Sequence, residues 1–533
     1  MIDFKKTVAK VVNNRNFSPS IVTALVIAAF LVANVFIYVM YAYLSPTNMQ
    51  IEKEDLSISD AAADVFERAK SEGKEITVTF CMSEEKIKYH TEGMRVYQTA
   101  KEFEKKYPDF INIRYANIFT LEYDDGEGKF NPAEYQKVER KTASGDVILD
   151  SEGNPVVDEY SITATSVIFE CNTTDGQGNV VRKNIKVVTG AAAFVDFYIL
   201  DADNYITAYN GEEYFTAMAY WVISNEHKTV YFTMGHGELP STHLYTTIVS
   251  AGYYVKELNL RKETVPSDAA FVVISNPKSD FERAASGEYV SEIQRLSEYA
   301  DMGGSFYVII DPLAKRLTNL EEFVAEKFGI AFKTNADGER LMVKDINQGI
   351  GVDGFSGFTL VTGYADTPVA SAISSKISKY NGEIIVSDVA AISCDESLGA
   401  KVLLQSSPSS SLEAGGVASN ENGPFAVAAY SERENEFNDS AKLFFMPSIY
   451  FTANDAMSSE SDQYANKNFL YGLFDELYDG DDMPYGTKCV LMQEERLVKL
   501  TLGASLTYAA ILMAIPVALA ALGTVTIIRR KNR

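Results

Sequence analysis

Tryptophan occurs once in this chain, and cysteine and histidine only four times each, in 533 residues. The cysteines (Cys81, Cys171, Cys394 and Cys489) lie far apart. They offer neither a disulfide framework nor a CxxC metal spacing, and read as unpaired small hydrophobes. No Gly-x4-Gly-Lys-Ser/Thr loop is present, so the chain supplies no P-loop of its own. No Gly-x-Ser-x-Gly elbow marks it as a hydrolase. Positive charge is short as well: 48 Lys and Arg face 73 Asp and Glu, for a net charge of −25. Such a surface repels phosphate, which excludes nucleic-acid binding.

Charge of either sign is missing from two stretches. No Asp, Glu, Lys or Arg lies between Arg15 and Glu52, or between Lys499 and Arg529. Each stretch holds an apolar run long enough to cross a bilayer, which takes about 20 residues. These runs are placed at 21–43 and 506–528. Lys5, Lys6, Lys10 and Arg15 precede the first, and Arg529, Arg530, Lys531 and Arg533 follow the second. Cations mark the cytoplasmic side, so the expected protein spans the cell membrane twice, with both termini (1–20 and 529–533) inside. No small-x-small cleavage site follows the first run, which is therefore read as an uncleaved anchor. The body between the runs is then extracytoplasmic and strongly acidic.

What is abundant points to folded material. There are 30 Phe and 31 Tyr, and 46% of the residues are hydrophobic. The length exceeds one compact core. The pattern predicts an α/β domain over 46–226, with a β-α-β unit (Ile76–Cys81, a helix near 91–106, Phe110–Tyr115) and a β-rich insertion near 121–190. A second α/β domain is expected over 228–478, followed by an acidic linker over 479–505. In that second domain Thr229–Met234, Ala269–Ser275 and Ser305–Ile310 are nearly continuous apolar runs, as strands buried on both faces require. They alternate with helices near 242–251, 288–302 and 319–328. This order predicts a flavodoxin- or Rossmann-like doubly wound parallel sheet.

Ligands of such sheets bind at the carboxyl ends of the strands. Gly235-His236-Gly237-Glu238 follows the first buried strand there, Asn276 the second and Asp311 the third. These six are the candidate ligand- or partner-binding residues. With His243, the spacing His-x-Glu-x4-His imitates a zinc site, and a membrane-tethered envelope hydrolase or metalloenzyme around His236, Glu238 and His243 is the alternative reading. A tight turn whose His and Glu hold neighbouring backbone is the plainer one. Trp221, on a helix over Gly211–Ser224, reads as core. Gly303-Gly304 and Gly351–Gly357 read as turns. No cofactor or resident metal is expected.

The second domain resembles the GldG-like family of ABC-transporter auxiliary proteins. The resemblance is carried by VYFTMGHGE (Val230–Glu238), FVVISNPKSDF (Phe271–Phe281) and EIQRLSEYADMGGSFYVIIDP (Glu292–Pro312). It continues through VLLQSSPSS (Val402–Ser410), GPFAVAAYSE (Gly423–Glu432), the stretch Phe444–Leu477 and the closing IIRRKNR. The resemblance implies a non-catalytic extracytoplasmic subunit that works with a separate ABC ATPase and a multi-span ABC-2-type permease, and that contacts a cell-surface partner. It implies no catalytic residues.

Overall fold

The protein is described by a computed structural model covering residues 56–491, less several short stretches (the longest is 348–356), and Arg529. The two apolar runs lie outside the described residues. Among the described residues no helix is long and apolar enough to cross a membrane.

The chain first builds a five-stranded sheet. Its elements are α1 (Asp60–Ser71), β1 (Glu75–Phe80), α2 (Gly93–Lys106), β2 (Ile111–Asn117) and β3 (Glu122–Tyr123). A small pair follows, β4 (Lys137–Glu139) with β5 (Val157–Glu159), and then the hairpin β6 (Val167–Thr174) and β7 (Val180–Val188). The order is β3-β2-β1-β6-β7. β1 and β2 are parallel, as a β-α-β unit requires, whereas β6 joins the other edge of β1 antiparallel. The stretch 121–190, expected to be a β-rich insertion, supplies β3 to β7. Its second half completes the main sheet, because β1 buries Ile76, Val78 and Phe80 and needs a partner on each side. Aromatic rings fill the helical face: Phe66 of α1 meets Phe103 of α2 at 5.2 Å, and Phe103 stacks at 4.3 Å on Phe215 of α3 (Gly211–Ile223).

The second layer begins with β8 (Thr229–Thr233), α4 (Thr242–Ser250), β9 (Tyr254–Leu258), β10 (Ala269–Ser275), α5 (Glu292–Asp301), β11 (Phe306–Ile309) and α6 (Thr318–Phe328). It continues through β12 (Thr359–Tyr364), α7 (Pro368–Ile377), β13 (Ile384–Ser387), β14 (Ala400–Gln405), β15 (Ala426–Glu434), β16 (Ser440–Met446) and α8 (Asn466–Leu477). These strands run β9-β8-β10-β11-β16-β15-β14-β12-β13 within an eleven-stranded sheet. From β9 to β16 every pairing is parallel, and from β16 to β13 every pairing is antiparallel. The wholly parallel sheet expected from the sequence therefore stops halfway. The reason is connection length: only a short turn separates β15 from β16, and such a turn can join only antiparallel neighbours.

Helices cover both faces of the parallel half, which accounts for the apolar runs. In β10, Phe271 and Val273 pack with Leu244 and Ile248 of α4 and Phe474 of α8. Val272 and Ile274 face the other way, onto Ile293 and Leu296 of α5 and Phe323 of α6. The α5 helix starts later than its apolar pattern predicts, because Ser291 caps it by accepting from the Gln294 N–H. Trp221 is buried and stacks on His227 at 3.9 Å. Cys81 and Cys171 are buried, and Cys81, Cys171 and Cys394 form no disulfide among the described residues.

The two sheets belong to one compact unit that starts at Ser57. Glu213 of α3 is tied across the sequence to α8. Its carboxylate lies 2.5 Å from Lys467 Nζ and accepts from the Tyr471 hydroxyl at 2.9 Å.

Candidate functional site

β8, β10 and β11 end side by side, so the turns that follow them meet at one edge of the sheet. Strand order reverses between β8 and β10: β9 lies on one side of β8, and β10 and β11 lie on the other. A reversal of this kind opens the crevice where α/β sheets hold ligands.

The turn after β8 depends on two glycines. Gly235 has φ of 113° and Gly237 a φ of 73°, values that side chains with a Cβ rarely adopt. A Cβ on Gly237 would also stand 3.3 Å from Lys278 Cβ. With both positions free to bend, the turn folds back and its His236 carbonyl accepts from the N–H groups of Lys278 and Ser279, at 2.8 and 3.0 Å. The turns after β8 and β10 are thereby fastened to each other.

His236 itself points inward. Its ring stacks on Phe281 at 3.9 Å, and only 2% of the residue is exposed. Nδ1 lies 3.1 Å from Glu238 Oε1 and Nε2 lies 2.9 Å from Glu292 Oε2. Glu238 also accepts from the His236 backbone N–H at 2.7 Å. Glu292 accepts from the Glu282 N–H at 2.8 Å and has Arg261 Nε 3.4 Å away. A ring with a carboxylate on each nitrogen is held as the doubly protonated cation. Desolvation opposes that charge, but the bonds to Glu238 and Glu292 and their negative charges outweigh it, and the His236 pKa rises above its ordinary value. Burial likewise pushes Glu238 up, yet His236 and two backbone N–H groups bring it down below the usual carboxylate range.

The remaining candidates sit beside this clamp. Asn276 takes a φ of 54°, uncommon for a residue with a side chain. Its N–H donates to the Ile309 carbonyl at 2.9 Å, and its side-chain oxygen accepts from Lys278 Nζ at 2.7 Å. Asp311 Oδ2 is 3.5 Å from the same ammonium. Lys278 thus bridges the second and third strand ends, while its backbone binds the first. All six residues singled out by sequence come together here.

His243 does not join His236 and Glu238 as a ligand set. It lies on the first turn of α4, where its carbonyl accepts from the Thr246 and Thr247 hydroxyls. Both ring nitrogens of His236 already face carboxylates, so a metal would have to break a buried ion pair and displace a proton to reach a lone pair. Among the described residues no group of three or more His, Cys, Asp or Glu side chains is placed to hold a metal ion.

Sequence reasoning missed Glu292 and Lys278. Lys278 follows Asn276 closely enough to have been noticed, as the only cation in that turn. No spacing rule connects Glu292 to His236 across 56 residues. Its one local sign is an acid in the first turn of a Ser-capped helix.

No family model matches the chain, and no curated protein matches it. Among solved structures, the N-terminal domain of mmIFT52 is similar over 47% of this chain and 98% of its own, at 16% identity and a TM-score of 0.34. A ThuA-like protein from Bacteroides uniformis covers 48% of this chain and 95% of its own, at 12% identity and a TM-score of 0.29. PurLQS from Thermotoga maritima covers 47% and 99%, at 12% identity and a TM-score of 0.27. Likenesses this slight carry no argument about what the chain does.

Proposed function

We propose that this chain is a non-catalytic accessory subunit of an ABC-2-type transporter, anchored by its two apolar runs with its α/β body outside the membrane. In this reading the parallel half of the large sheet is a flavodoxin-like layer, its strands in the 2-1-3-4-5 order of that fold. A separate ATPase and a multi-span permease supply nucleotide hydrolysis and the pathway. Their motion reaches the body through the two membrane helices, and the strand-end turns bind substrate or a cell-surface partner.

The observation that supports a binding role over a catalytic one is the His236 clamp. A histidine that acts as general base or metal ligand needs an accessible nitrogen lone pair. Both nitrogens of this ring are committed to Glu238 and Glu292, and the ring is buried. A rigid turn of this kind positions the backbone and side chains around it. The resemblance to GldG-like auxiliary proteins and the cation-flanked apolar runs supply the transporter context.

The test is a native pull-down of the tagged full-length chain in mild detergent, with partners identified by mass spectrometry. Co-purification of an ABC ATPase and a multi-span permease in stoichiometric amounts is the expected result. A chain that purifies alone overturns the proposal.

A further inference from the structure

The five-stranded sheet has a second face, away from α1, α2 and α3, and the described residues cover only half of it. There Cys81, Ala116, Ile168 and Val187 lie beneath Phe130 and Tyr135 of the segment between β2 and β6. The other half lines an open cleft of about 570 Å³, within the usual range of small-molecule sites, roughly 300–1,000 Å³. Its floor is a polar row across four adjacent strands: Asn112 and Arg114 from β2, Thr77 from β1, Glu170 and Asn172 from β6, and Lys183 from β7. Thr77 stands opposite both Asn112 and Glu170, and Asn172 opposite Lys183. Tyr123 and Tyr135 form the wall.

The charged groups of this cleft other than the Glu127 carboxylate are already engaged. Arg114 donates twice to Asp125 Oδ2, at 3.0 and 2.9 Å, and once to the Glu127 carbonyl at 2.9 Å, while its guanidinium lies 3.7 Å from the Tyr123 ring centre. Lys183 pairs with buried Glu170, which also accepts from the Tyr135 hydroxyl at 3.2 Å. By contrast, among the described residues the side chains of Thr77, Asn112 and Asn172 bond to no protein group. The result is a rigid rim of satisfied ions around a floor of neutral groups that still have donors and acceptors to offer.

We infer that this cleft binds a neutral saccharide. An anion meets three carboxylates (Asp125, Glu127 and Glu170) and two cations that are already paired. A cation finds two of those carboxylates taken. A hydroxyl both donates and accepts, so an array of hydroxyls suits two amides and a threonine hydroxyl that do the same. Thr77 and Asn112 stand on neighbouring strands about 4.8 Å apart, and Asn172 lies diagonally across from Thr77 at about 7–8 Å, so the three are spread over a sugar-sized patch. The ion pairs around the floor are formed before a ligand arrives and hold the outline of the cleft, which lowers part of the ordering cost of binding. The inference stands on this cleft alone and does not depend on a transporter partner.

The experiment uses the full-length chain in lipid nanodiscs, since glycoside detergents would compete. Cellobiose, maltose and diacetylchitobiose are titrated by calorimetry, with inorganic phosphate and spermidine as ionic probes. Saturable binding of at least one disaccharide is expected, undisplaced by either ion and at least tenfold weaker in both Asn112→Ala and Asn172→Ala. Thr77→Val, which keeps side-chain shape while removing the hydroxyl, is expected to weaken it too. Thermal unfolding of each variant separates lost binding from lost fold. The inference is overturned if none of the three sugars saturates, if an ion binds in their place, or if well-folded variants bind like the wild type.

Discussion

His236 shows what one side chain contributes when two carboxylates enclose it. Replacing it with alanine leaves Glu238 and Glu292 buried near each other without their cation, a change that costs about 3–5 kcal/mol. Chemical denaturation of His236→Ala measures this loss. The pH dependence follows from the two shifts. The raised His236 pKa gives stability that is complete below about pH 6.5 and is lost as pH climbs through the folded value. The lowered Glu238 pKa gives stability that is complete above about pH 4.5 and is lost as pH falls through its folded value. The stability gap between wild type and His236→Ala is therefore widest between about pH 4.5 and 6.5 and narrows on the alkaline side. A gap independent of pH would show that the ring is held neutral. Half of this clamp was legible in the sequence, because His236 and Glu238 are two residues apart in a glycine-bounded turn. Its other half, Glu292, reaches the ring only through the packing of α5 against β10, which local spacing does not encode.

Elements differ in how openly they declare themselves. β8, β10 and β11 are readable as buried strands because helices cover both their faces, which removes any polar alternation. The direction of β15 and β16 was not readable. Val427, Ala428 and Ala429 are as buried as the residues of a parallel strand, so composition alone does not distinguish the two orientations. The pairing of β6 with β1 was hidden for a similar reason: a hairpin pattern reveals its own partner and not the strand beside it. Contacts between distant elements are less legible still. Lys467 of α8 lies against Glu213 of α3, 254 positions earlier, and both side chains are largely buried. Desolvation would raise the Glu213 carboxyl, yet Lys467 and Tyr471 hold it below its ordinary value. Lys467→Ala is expected to destabilise the protein by about 3–5 kcal/mol. The double variant Lys467→Met with Glu213→Gln should recover much of that loss, since no buried charge then lacks a partner. Denaturant midpoints of the wild type, Lys467→Met, Glu213→Gln and the double variant test this, and an additive result would mean that the pair does not couple α3 to α8.

At the scale of the whole molecule, charge distribution fixes the expected topography. Cations gather at both ends of the sequence and acids dominate between them, and the proposed topography puts the termini inside and the body outside. Protease added to intact spheroplasts should digest the body and spare tags placed at either terminus. Tags that are cleaved from outside would reverse the assignment. The mixed α/β class could be read from sequence, because alternating helix and strand periods persist over long stretches. The half-parallel, half-antiparallel construction could not, since it depends on where one late strand inserts. That strand is β16, which takes its place between β11 and β15 although it is the last of the parallel set to be synthesised. A nascent chain therefore carries β11 with one edge unpaired until Ser440–Met446 leaves the ribosome, and the layer that bears the His236 turn is among the last parts to close. A product truncated before that point would keep an open, apolar strand edge, which is a template for pairing with other chains.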